Sequence, residues 1–244
     1  MKIVLVLISL ISLQTLAAEK KKLVTVIGSN MAAPFLLDAP NKESNPQGLT
    51  TDYLKELANI LGESFEIRVL PKFRIREQFE KDEIDLNCYT TKEWAGEGND
   101  KFKWSVPLFV IIDQLASSNG PVKSIQDLHG ATVGTVLRYR YPGIFEDSIK
   151  KGDIFRDEVK SEEALLNMLS KKRINYGVIG HVQLRYYLKN HPNSKIHSSA
   201  LVLSENVIRC WVRKGSTLSV ERLNAAIEQM KNSGRLEEIF SRYR

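Results

Sequence analysis

The residues best suited to bind a small molecule are aromatic and hydroxyl side chains that follow a predicted strand. Tyr89, Thr90 and Thr91 come directly after the alternating apolar residues of segment 84–88, and Trp94 follows three positions later. Ligands of open α/β sheets bind outside the carboxyl ends of the strands, because the loops there converge on one crevice. Segment 84–108, which contains this strand end and the entry to the next strand, is therefore predicted to form the centre of a ligand site.

Arginines and further aromatic residues extend the candidate site. Aromatic rings with arginines suit a ligand that has a planar or apolar body and one anionic group. Arg74 begins a predicted helix, where its charge opposes the helix dipole, so it either reaches into the site as an anion partner or is solvated. Segment 138–141 (RYRY) either contributes to the site or forms an exposed loop. The remaining candidates are Phe35, Arg138, Tyr139, Arg140 and His181.

The elements that must position these residues alternate between strands and helices. Runs of apolar or alternating residues predict strands at 23–27, 65–70, 84–88, 109–115, 131–135, 175–180 and 207–212. Apolar residues at helical spacing predict helices at 50–61, 162–170, 181–188 and 218–230. The chain has 244 residues, of which 43% are apolar, enough for one large domain or two small ones. The pattern predicts an α/β fold.

Residues 1–18 have the features of a secretory signal peptide. Lys2 precedes a short apolar run, and the small residues Ala17 and Ala18 follow it, so cleavage is expected after one of these two. The run is shorter than the roughly 20 residues that span a bilayer, which argues against the alternative of an uncleaved anchor. No cysteine lies nearby to carry a lipid. The mature protein is predicted to be exported to the periplasm.

The composition argues against nucleic-acid binding and against most enzyme classes. The formal charge is +6, but lysines and arginines are scattered among acids and form no basic stripe. His129, His181, His191 and His197 lack the spacing of metal ligands. The sequence also has no nucleophile elbow, phosphate-binding glycine loop or dinucleotide fingerprint. We therefore predict a protein without catalytic activity, cofactor or metal.

Three ordered blocks give the chain a family resemblance. Segment 124–135 reads SIQDLHGATVGT, segment 48–62 reads GLTTDYLKELANILG, and segment 105–108 reads SVPL after the threonine turn. On these blocks the sequence resembles the family 3 bacterial solute-binding proteins, and the resemblance continues in order over essentially all of the mature chain. These are periplasmic receptors that feed polar amino acids to ABC importers. The resemblance implies the type II periplasmic binding protein fold, in which two α/β lobes with mixed sheets and flanking helices enclose a ligand cleft.

The same resemblance implies the domain organisation and the function. The first lobe would comprise residues 22–113 and 205–244, and the second lobe residues 114–204, with crossovers near 112–116 and 202–206. The protein is then a monomeric receptor that captures a small polar or anionic ligand by hinge closure and delivers it to an ABC importer. One alternative is a periplasmic sensor module that docks on a membrane protein. Another is an enzyme similar to the cyclohexadienyl dehydratases, with Glu93 as general acid.

Both halves of the family's amino-acid clamp are missing. The resemblance places an arginine for the ligand carboxylate at position 94 and an aspartate for the ligand ammonium at position 180. Here Trp94 and Gly180 stand at these positions, and His181 follows. The resemblance therefore implies the fold but not the usual ligand. It also places an aromatic over the ligand after the first strand, so Phe35 either takes that role or packs on the protein body.

The two cysteines leave two alternatives open. Cys88 and Cys210 each lie on the apolar face of a predicted strand, where buried free cysteines behave as small hydrophobes, and this favours unpaired thiols. The resemblance makes the two strands neighbours, and an oxidising compartment permits a disulfide between them.

Overall fold

A computed structural model of the chain describes residues 22–37, 46–95, 101–137, 139, 141 and 143–244. The predicted signal peptide, residues 1–18, lies outside the described residues, as do Arg138 and Arg140. The strands of the described part are β1 (Leu23–Gly28), β2 (Phe65–Leu70), β3 (Leu86–Thr90), β4 (Phe102–Ser117), β5 (Thr132–Val136), β6 (Phe155–Val159), β7 (Tyr176–Gly180) and β8 (His197–Arg213). Its α-helices are α1 (Leu49–Leu61), α2 (Lys72–Glu80), α3 (Lys92–Ala95), α4 (Ile144–Lys151), α5 (Glu162–Ser170), α6 (His181–Asn190), α7 (Val220–Asn232) and α8 (Arg235–Ser241).

All strands of the described part belong to one mixed sheet, in the order β2-β1-β3-β8-β4-β7-β5-β6. β1 pairs in parallel with β2 and β3 at one end, and β5 pairs in parallel with β6 and β7 at the other. The central strands β4 and β8 are antiparallel to each other. They are longer than the sequence predicts because they pair with each other along most of their length, through both predicted crossovers. The predicted α/β fold is confirmed.

The hydrophobic core divides into two halves along this sheet. The buried apolar residues of one half come from 23–111 and 208–240, with Val182 as the exception. Those of the other half come from 115–203. We refer to these halves as the first and second lobe. The boundaries at 113/114 and 204/205 stay a prediction.

Helix α1 shows how the sequence builds the first lobe. Leu54 and Leu57 lie on its buried face with no exposed surface, and Gly62 ends the helix in a left-handed conformation at φ 63°. Glycine adopts this conformation without the steric cost of a side chain. Tyr53 is fully buried on the same helix, and its hydroxyl donates to the carbonyl of Cys88 in β3 at 3.0 Å. The helix is thereby fixed against the strand that leads to the predicted site.

A disulfide joins Cys88 of β3 to Cys210 of β8. The two strands are antiparallel neighbours, and the pairs Asn87–Trp211 and Thr90–Arg209 enclose the two cysteines in the register. Both side chains are buried in the core of the first lobe. The preference for free thiols is therefore wrong. Alternation places each cysteine on an apolar face, but only the pairing of the strands shows that the two faces are the same.

A buried ion pair joins the start of β3 to the end of β8. Asp85 is 9% exposed, and its carboxylate accepts the backbone N–H of Val24 at 2.9 Å and the Arg213 guanidinium at 2.9 Å. Arg213 also donates to the carbonyl of Ile84 at 3.2 Å. Both charges are thus compensated and hydrogen-bonded, which is the condition for keeping a carboxylate buried.

Candidate functional site

The two lobes meet where β1 and β5 end. Asn30, after β1, donates from its side-chain amide to the hydroxyl of Tyr139, after β5, at 3.4 Å. Tyr139 is held by Arg156, which donates to its backbone carbonyl at 2.8 Å and to the Thr135 hydroxyl at 2.8 Å. A predicted site residue of the second lobe therefore contacts the first lobe directly.

Tyr89, at the end of β3, lies at the centre of the predicted residues of the first lobe. Its ring centroid is 6.1 Å from that of Trp94 and 4.9 Å from that of Phe35. Burial, followed by the carboxylate of Glu162 in the second lobe, raises the pKa of the Tyr89 phenol well above its usual value. Trp94 keeps 37% of its surface exposed. The two rings thus combine a half-buried phenol with an accessible indole, as a ligand site requires.

Phe35 has no exposed surface and packs in the core of the first lobe. Its ring contacts those of Tyr89 and Phe109, with centroids at 4.9 and 6.2 Å. Of the two alternatives for this aromatic, packing on the protein body is the one the structure shows. The expectation of a direct ligand contact is corrected, because a ring without accessible surface supports its neighbours instead.

The two threonines position the start of α3. The Thr91 hydroxyl accepts the backbone N–H of Trp94 at 3.1 Å, and Thr90 donates to the Thr91 carbonyl at 3.3 Å. Both threonines are buried. Backbone and Thr91 hydrogen bonds lower the pKa of Glu93. A general acid needs the opposite shift, so these bonds do not suit Glu93 to the role that the dehydratase alternative gives it.

Of the three predicted arginines, Arg74 is the one that lies among the described residues. Arg74 lies in the first turn of α2 and pairs with Glu77 at 3.0 Å, with 55% of its side chain exposed. Its guanidinium also lies 5.8 Å from the ring centroid of its neighbour Phe73. Arg138 and Arg140 lie outside the described residues. The structure agrees with the alternative in which Arg74 is solvated, because the partners of Arg74 are exposed residues of its own helix.

His181 begins α6 and connects it to β4. Its Nδ1 accepts the backbone N–H of Ile112 at 3.0 Å, at the predicted crossover. Burial lowers the pKa of the imidazole, which favours the neutral form that this acceptor role requires. The histidine thus links the end of β7 to β4 at the predicted crossover.

Two carboxylates near these residues, the buried Glu162 and the half-buried Asp113, were not predicted from the sequence. Glu162, in the first turn of α5, accepts the backbone N–H of Gly180 at 3.2 Å and the side-chain amide of Gln183 at 3.0 Å. Asp113, in β4, accepts the Ser204 hydroxyl at 2.5 Å and the Asn206 amide at 2.7 Å, both from β8. Within the described part of the chain, neither carboxylate forms an ion pair with a lysine or arginine.

Burial has the same effect on both acids. It raises the pKa of Glu162 to about 7, with the Asp113 charge adding to the shift, and it raises the pKa of Asp113. The two carboxylates also add to the effect of burial in raising the pKa values of Tyr139 and Tyr141. Tyr89, Asp113, Tyr139, Tyr141 and Glu162 therefore share one electrostatic environment, which we call the interlobe cluster.

The interlobe cluster is rich in hydrogen-bond acceptors. Its two carboxylates can accept hydrogen bonds from a ligand, and its phenols can accept or donate them. The residues that the structure describes contain no group of three or more side chains able to hold a metal ion. Within the same residues, no helix has the length and apolar character needed to cross a membrane. The carboxylates and phenols of the interlobe cluster are suited to hydrogen-bond a small polar molecule.

Comparison with known proteins gives one family and many similar structures. The family described as bacterial extracellular solute-binding proteins, family 3, matches residues 24–244. An arginine transport system periplasmic binding protein from Legionella pneumophila has a similar fold, with 15% identity, a TM-score of 0.72 and coverage of 91% of this chain and 99% of that chain. The GluR0 ligand-binding core from Nostoc punctiforme, in complex with L-glutamate, is also similar. It has 20% identity, a TM-score of 0.70 and coverage of 91% of this chain and 98% of that chain.

A histidine kinase sensor domain with similarity to periplasmic binding proteins is also similar, with 15% identity, a TM-score of 0.69 and coverage of 91% of this chain and 96% of that chain. No curated protein sequence matches this chain. At such low identities the structural likeness shows the fold alone. That fold is the two-lobed periplasmic binding protein fold, as the sequence predicts.

Proposed function

Because the chain belongs to the bacterial extracellular solute-binding proteins of family 3, we propose that it is an exported periplasmic receptor that captures one small polar ligand between its lobes. Its partner is an ABC importer in the inner membrane. The observation that carries the proposal is the contact between the lobes at the interlobe cluster, where Asn30 of the first lobe donates to the Tyr139 hydroxyl of the second at 3.4 Å. A site shared by two lobes binds most tightly when the lobes close around the ligand.

The hinge supports closure without covalent chemistry. β4 and β8 are the strands that connect the lobes, and they pair at Asp113 and Ser204. The Asp113 carboxylate holds Ser204 and Asn206, so it ties the two hinge strands to each other beside the cluster. A ligand that contacts both lobes shifts the equilibrium toward the closed form by its greater affinity for that form. We propose Tyr89, Thr90, Trp94 and Tyr139 as the residues nearest to the ligand.

The ligand class follows in part from the relatives. One similar structure is an arginine transport system protein, and another binds L-glutamate. We propose an amino-acid-like or aromatic polar molecule for this chain. Trp94 and Gly180 replace the charged residues that the family resemblance implies, so we expect a different pattern of contacts from the usual clamp.

The direct test is a thermal-shift screen of the exported protein against amino acids, amines, small carboxylates and aromatic acids. A ligand at a hundredfold excess over its Kd stabilises the native state by about 2.7 kcal/mol, a shift that melting curves resolve. Trp94→Ala is expected to weaken ligand binding by up to about tenfold, because an aromatic stacking contact contributes about 0.5–1.5 kcal/mol. Phe73→Ala, which removes a ring that is 68% exposed on α2, is the matched control.

A protein that shows no shift with any compound of the panel would count against the proposal. The same holds if Trp94→Ala and Tyr139→Ala both leave the affinity unchanged, because the ligand would then lie elsewhere.

A second candidate is a ligand sensor, and the similarity to a histidine kinase sensor domain favours it. The two functions differ in what the cell loses with the gene. Deletion of an importer receptor abolishes uptake of the ligand, whereas deletion of a sensor leaves uptake intact and abolishes the transcriptional response. We expect loss of uptake.

The enzyme alternative has a separate test. We expect no turnover of prephenate or arogenate by the purified protein, because bonds from its own backbone and from Thr91 favour the ionised form of Glu93. Turnover that is lost in Glu93→Gln would establish the dehydratase alternative instead.

A further inference from the structure

Helix α6 packs against both lobes through two different faces. Leu184, Tyr187 and Leu188 lie against the core of the second lobe, at helical spacing. Val182 is 7% exposed and lies in the core of the first lobe instead. Among the described residues of 114–204, it is the one apolar side chain found in that core. α6 therefore connects the second lobe to the first outside the hinge strands.

The face of α6 that begins at Val182 continues to a second contact with the first lobe. Tyr186 and Lys189 follow at i+4 and i+7, on the same side of the helix. The ring centroid of Tyr186 is 6.5 Å from that of Tyr243, which follows α8. Lys189 donates from its Nζ to the backbone carbonyl of Arg244. We call these two pairs, Tyr186–Tyr243 and Lys189–Arg244, the α6 contact.

Each tyrosine of the α6 contact is anchored in its own lobe. The hydroxyl of Tyr243 donates to Oδ2 of Asp52 in α1 at 2.9 Å, and its ring packs against the core of the first lobe. Tyr186 lies on α6, whose next residue, Tyr187, stacks on His191 of the second lobe with ring centroids 4.0 Å apart. The α6 contact thus joins a residue fixed in the first lobe to a residue fixed in the second.

The α6 contact and the interlobe cluster belong to one arrangement of the lobes. α6 begins beside the hinge, where His181 accepts the backbone N–H of Ile112 at 3.0 Å. Tyr186 lies more than one helical turn beyond His181, so a rotation of the second lobe displaces Tyr186 further than it displaces His181. Asn30 and Tyr139 contact each other in the same arrangement. A rotation that separates the lobes therefore changes both contacts.

We infer that Tyr186 and Tyr243 are positioning residues, whose contact holds the lobes in the arrangement in which Asn30 meets Tyr139 and thereby raises the affinity for a ligand that neither of them touches. A contact made in one arrangement and lost in another shifts the equilibrium between the two arrangements by its own free energy. Ligand affinity then scales with the fraction of molecules in the binding-competent arrangement. The consequence for affinity rests on the proposed function, because it needs a ligand that binds between the lobes.

The test measures the distance between the lobes in the ligand-free protein by double electron–electron resonance. Spin labels are attached at Lys72→Cys and Lys160→Cys, exposed positions that follow the carboxyl ends of the edge strands β2 and β6. The crevice lies outside these strand ends, so the distance between the labels grows as the lobes separate. In the labelled protein, Tyr186→Ala and Tyr243→Ala are each expected to raise the ratio of long to short distances about twofold to tenfold, which is the scale of an aromatic pair.

Matched variants separate an effect on the lobe arrangement from an effect on folding. Tyr187→Ala removes a ring of the same size from the same helix, but its partner His191 lies in the second lobe, so the ratio should stay unchanged. Tyr243→Phe keeps the ring and removes only the bond to Asp52, and it should also leave the ratio unchanged. The double variant of Tyr186→Ala and Tyr243→Ala should match the single variants, because both changes remove the same contact.

The outcomes decide the inference without a ligand. Equal ratios for Tyr186→Ala and Tyr187→Ala, or a shift of Tyr186→Ala toward short distances, would overturn it. If Tyr186→Ala does not fold, as circular dichroism would show, Lys189→Met decides the question. That change removes the bond to Arg244 and should shift the ratio in the same direction, and an unchanged ratio would overturn the inference. The thermal-shift screen tests the proposed function separately, so either can fail while the other stands.

Discussion

The buried carboxylate of the first lobe and that of the second are treated in opposite ways. Asp85 is paired with Arg213 at 2.9 Å and with the backbone N–H of Val24. Glu162 is equally buried but is bonded only to uncharged groups, the N–H of Gly180 and the amide of Gln183. Asp85 has a cation of its own chain, whereas Glu162 has none within the described residues.

The difference distinguishes Asp85, which stabilises the fold, from Glu162, which belongs to the candidate site. A compensated buried carboxylate fixes the elements that contact it, and here it joins β1, the entry to β3 and the end of β8. An uncompensated one raises the free energy of the folded protein, because its charge is removed from water without an opposite charge beside it. The second lobe thus keeps at the interface a charge that the first lobe neutralises in its core.

The largest effect is expected when Asp85 is made to resemble Glu162. Arg213→Met removes the cation and leaves the carboxylate buried, which should lower the free energy of unfolding by about 3–5 kcal/mol. Urea denaturation measures the change. Arg76→Met, which removes an exposed partner of Glu80, is the control and should change it by less than about 0.5 kcal/mol. An equally small effect of Arg213→Met would mean that the ion pair is not structural.

The next effect is a pH dependence that originates in Glu162. Its pKa is about 7 in the folded protein and near its usual 4.5 in the unfolded chain, so the folded state binds the additional proton between these values. The free energy of unfolding should therefore fall as the pH rises from about 4.5 to 7, by up to about 3 kcal/mol. Asp113 contributes in the same direction, and His181, whose pKa is lowered by burial, in the opposite one.

Comparison of variants isolates the Glu162 contribution. Glu162→Gln should flatten the curve and stabilise the protein at pH 8 relative to the wild type. Glu163→Gln, an exposed change in the same turn of α5, should leave the curve as it is. Identical slopes for wild type and Glu162→Gln between pH 5 and 8 would contradict the unpaired state of this acid.

A smaller effect is expected at the hinge, where Asp113 is held by hydroxyl and amide donors. Ser204→Ala removes one of the two donors and should cost about 1 kcal/mol of unfolding free energy, since Asn206 still donates at 2.7 Å. Ser198→Ala, at an exposed position of the same strand, provides the reference in thermal denaturation. Equal melting temperatures for the two variants would show that Ser204 does not hold Asp113.

The smallest effect is expected for Arg74→Met, which removes an exposed ion pair on α2. Neither the urea midpoint nor the thermal shift caused by a ligand should change. Loss of the ligand-induced shift would instead establish Arg74 as the anion partner that the sequence analysis considered.

The sequence predicts those elements whose apolar pattern matches a buried face. The predicted ranges 65–70 and 162–170 coincide with β2 and α5. β6 was not predicted because it is an edge strand with charged residues and an exposed Phe155, so it has no apolar face to detect. The lengths of β4 and β8 depend on their mutual pairing, which no local pattern encodes.

The site was less predictable than the fold. The absence of the family's acid at Gly180 is visible in the sequence, but the amide of Gln183, three residues later, fills that space only in the folded chain. Glu162 looks like an ordinary acidic residue at a helix start, where such residues are common. Nothing in its neighbourhood along the chain indicates burial, because its partners come from β7 and α6.

The disulfide has a topological consequence for the whole molecule. Cys88 and Cys210 are 122 positions apart, and the entire second lobe lies between them. This part of the chain is therefore a covalently closed ring, with both ends anchored at one point of the first lobe. A protease that cuts the exposed segment 191–193 would produce two fragments that migrate as one band until a reductant is added. The disulfide would then keep both hinge strands attached to the first lobe even after the chain between the two cysteines is cut.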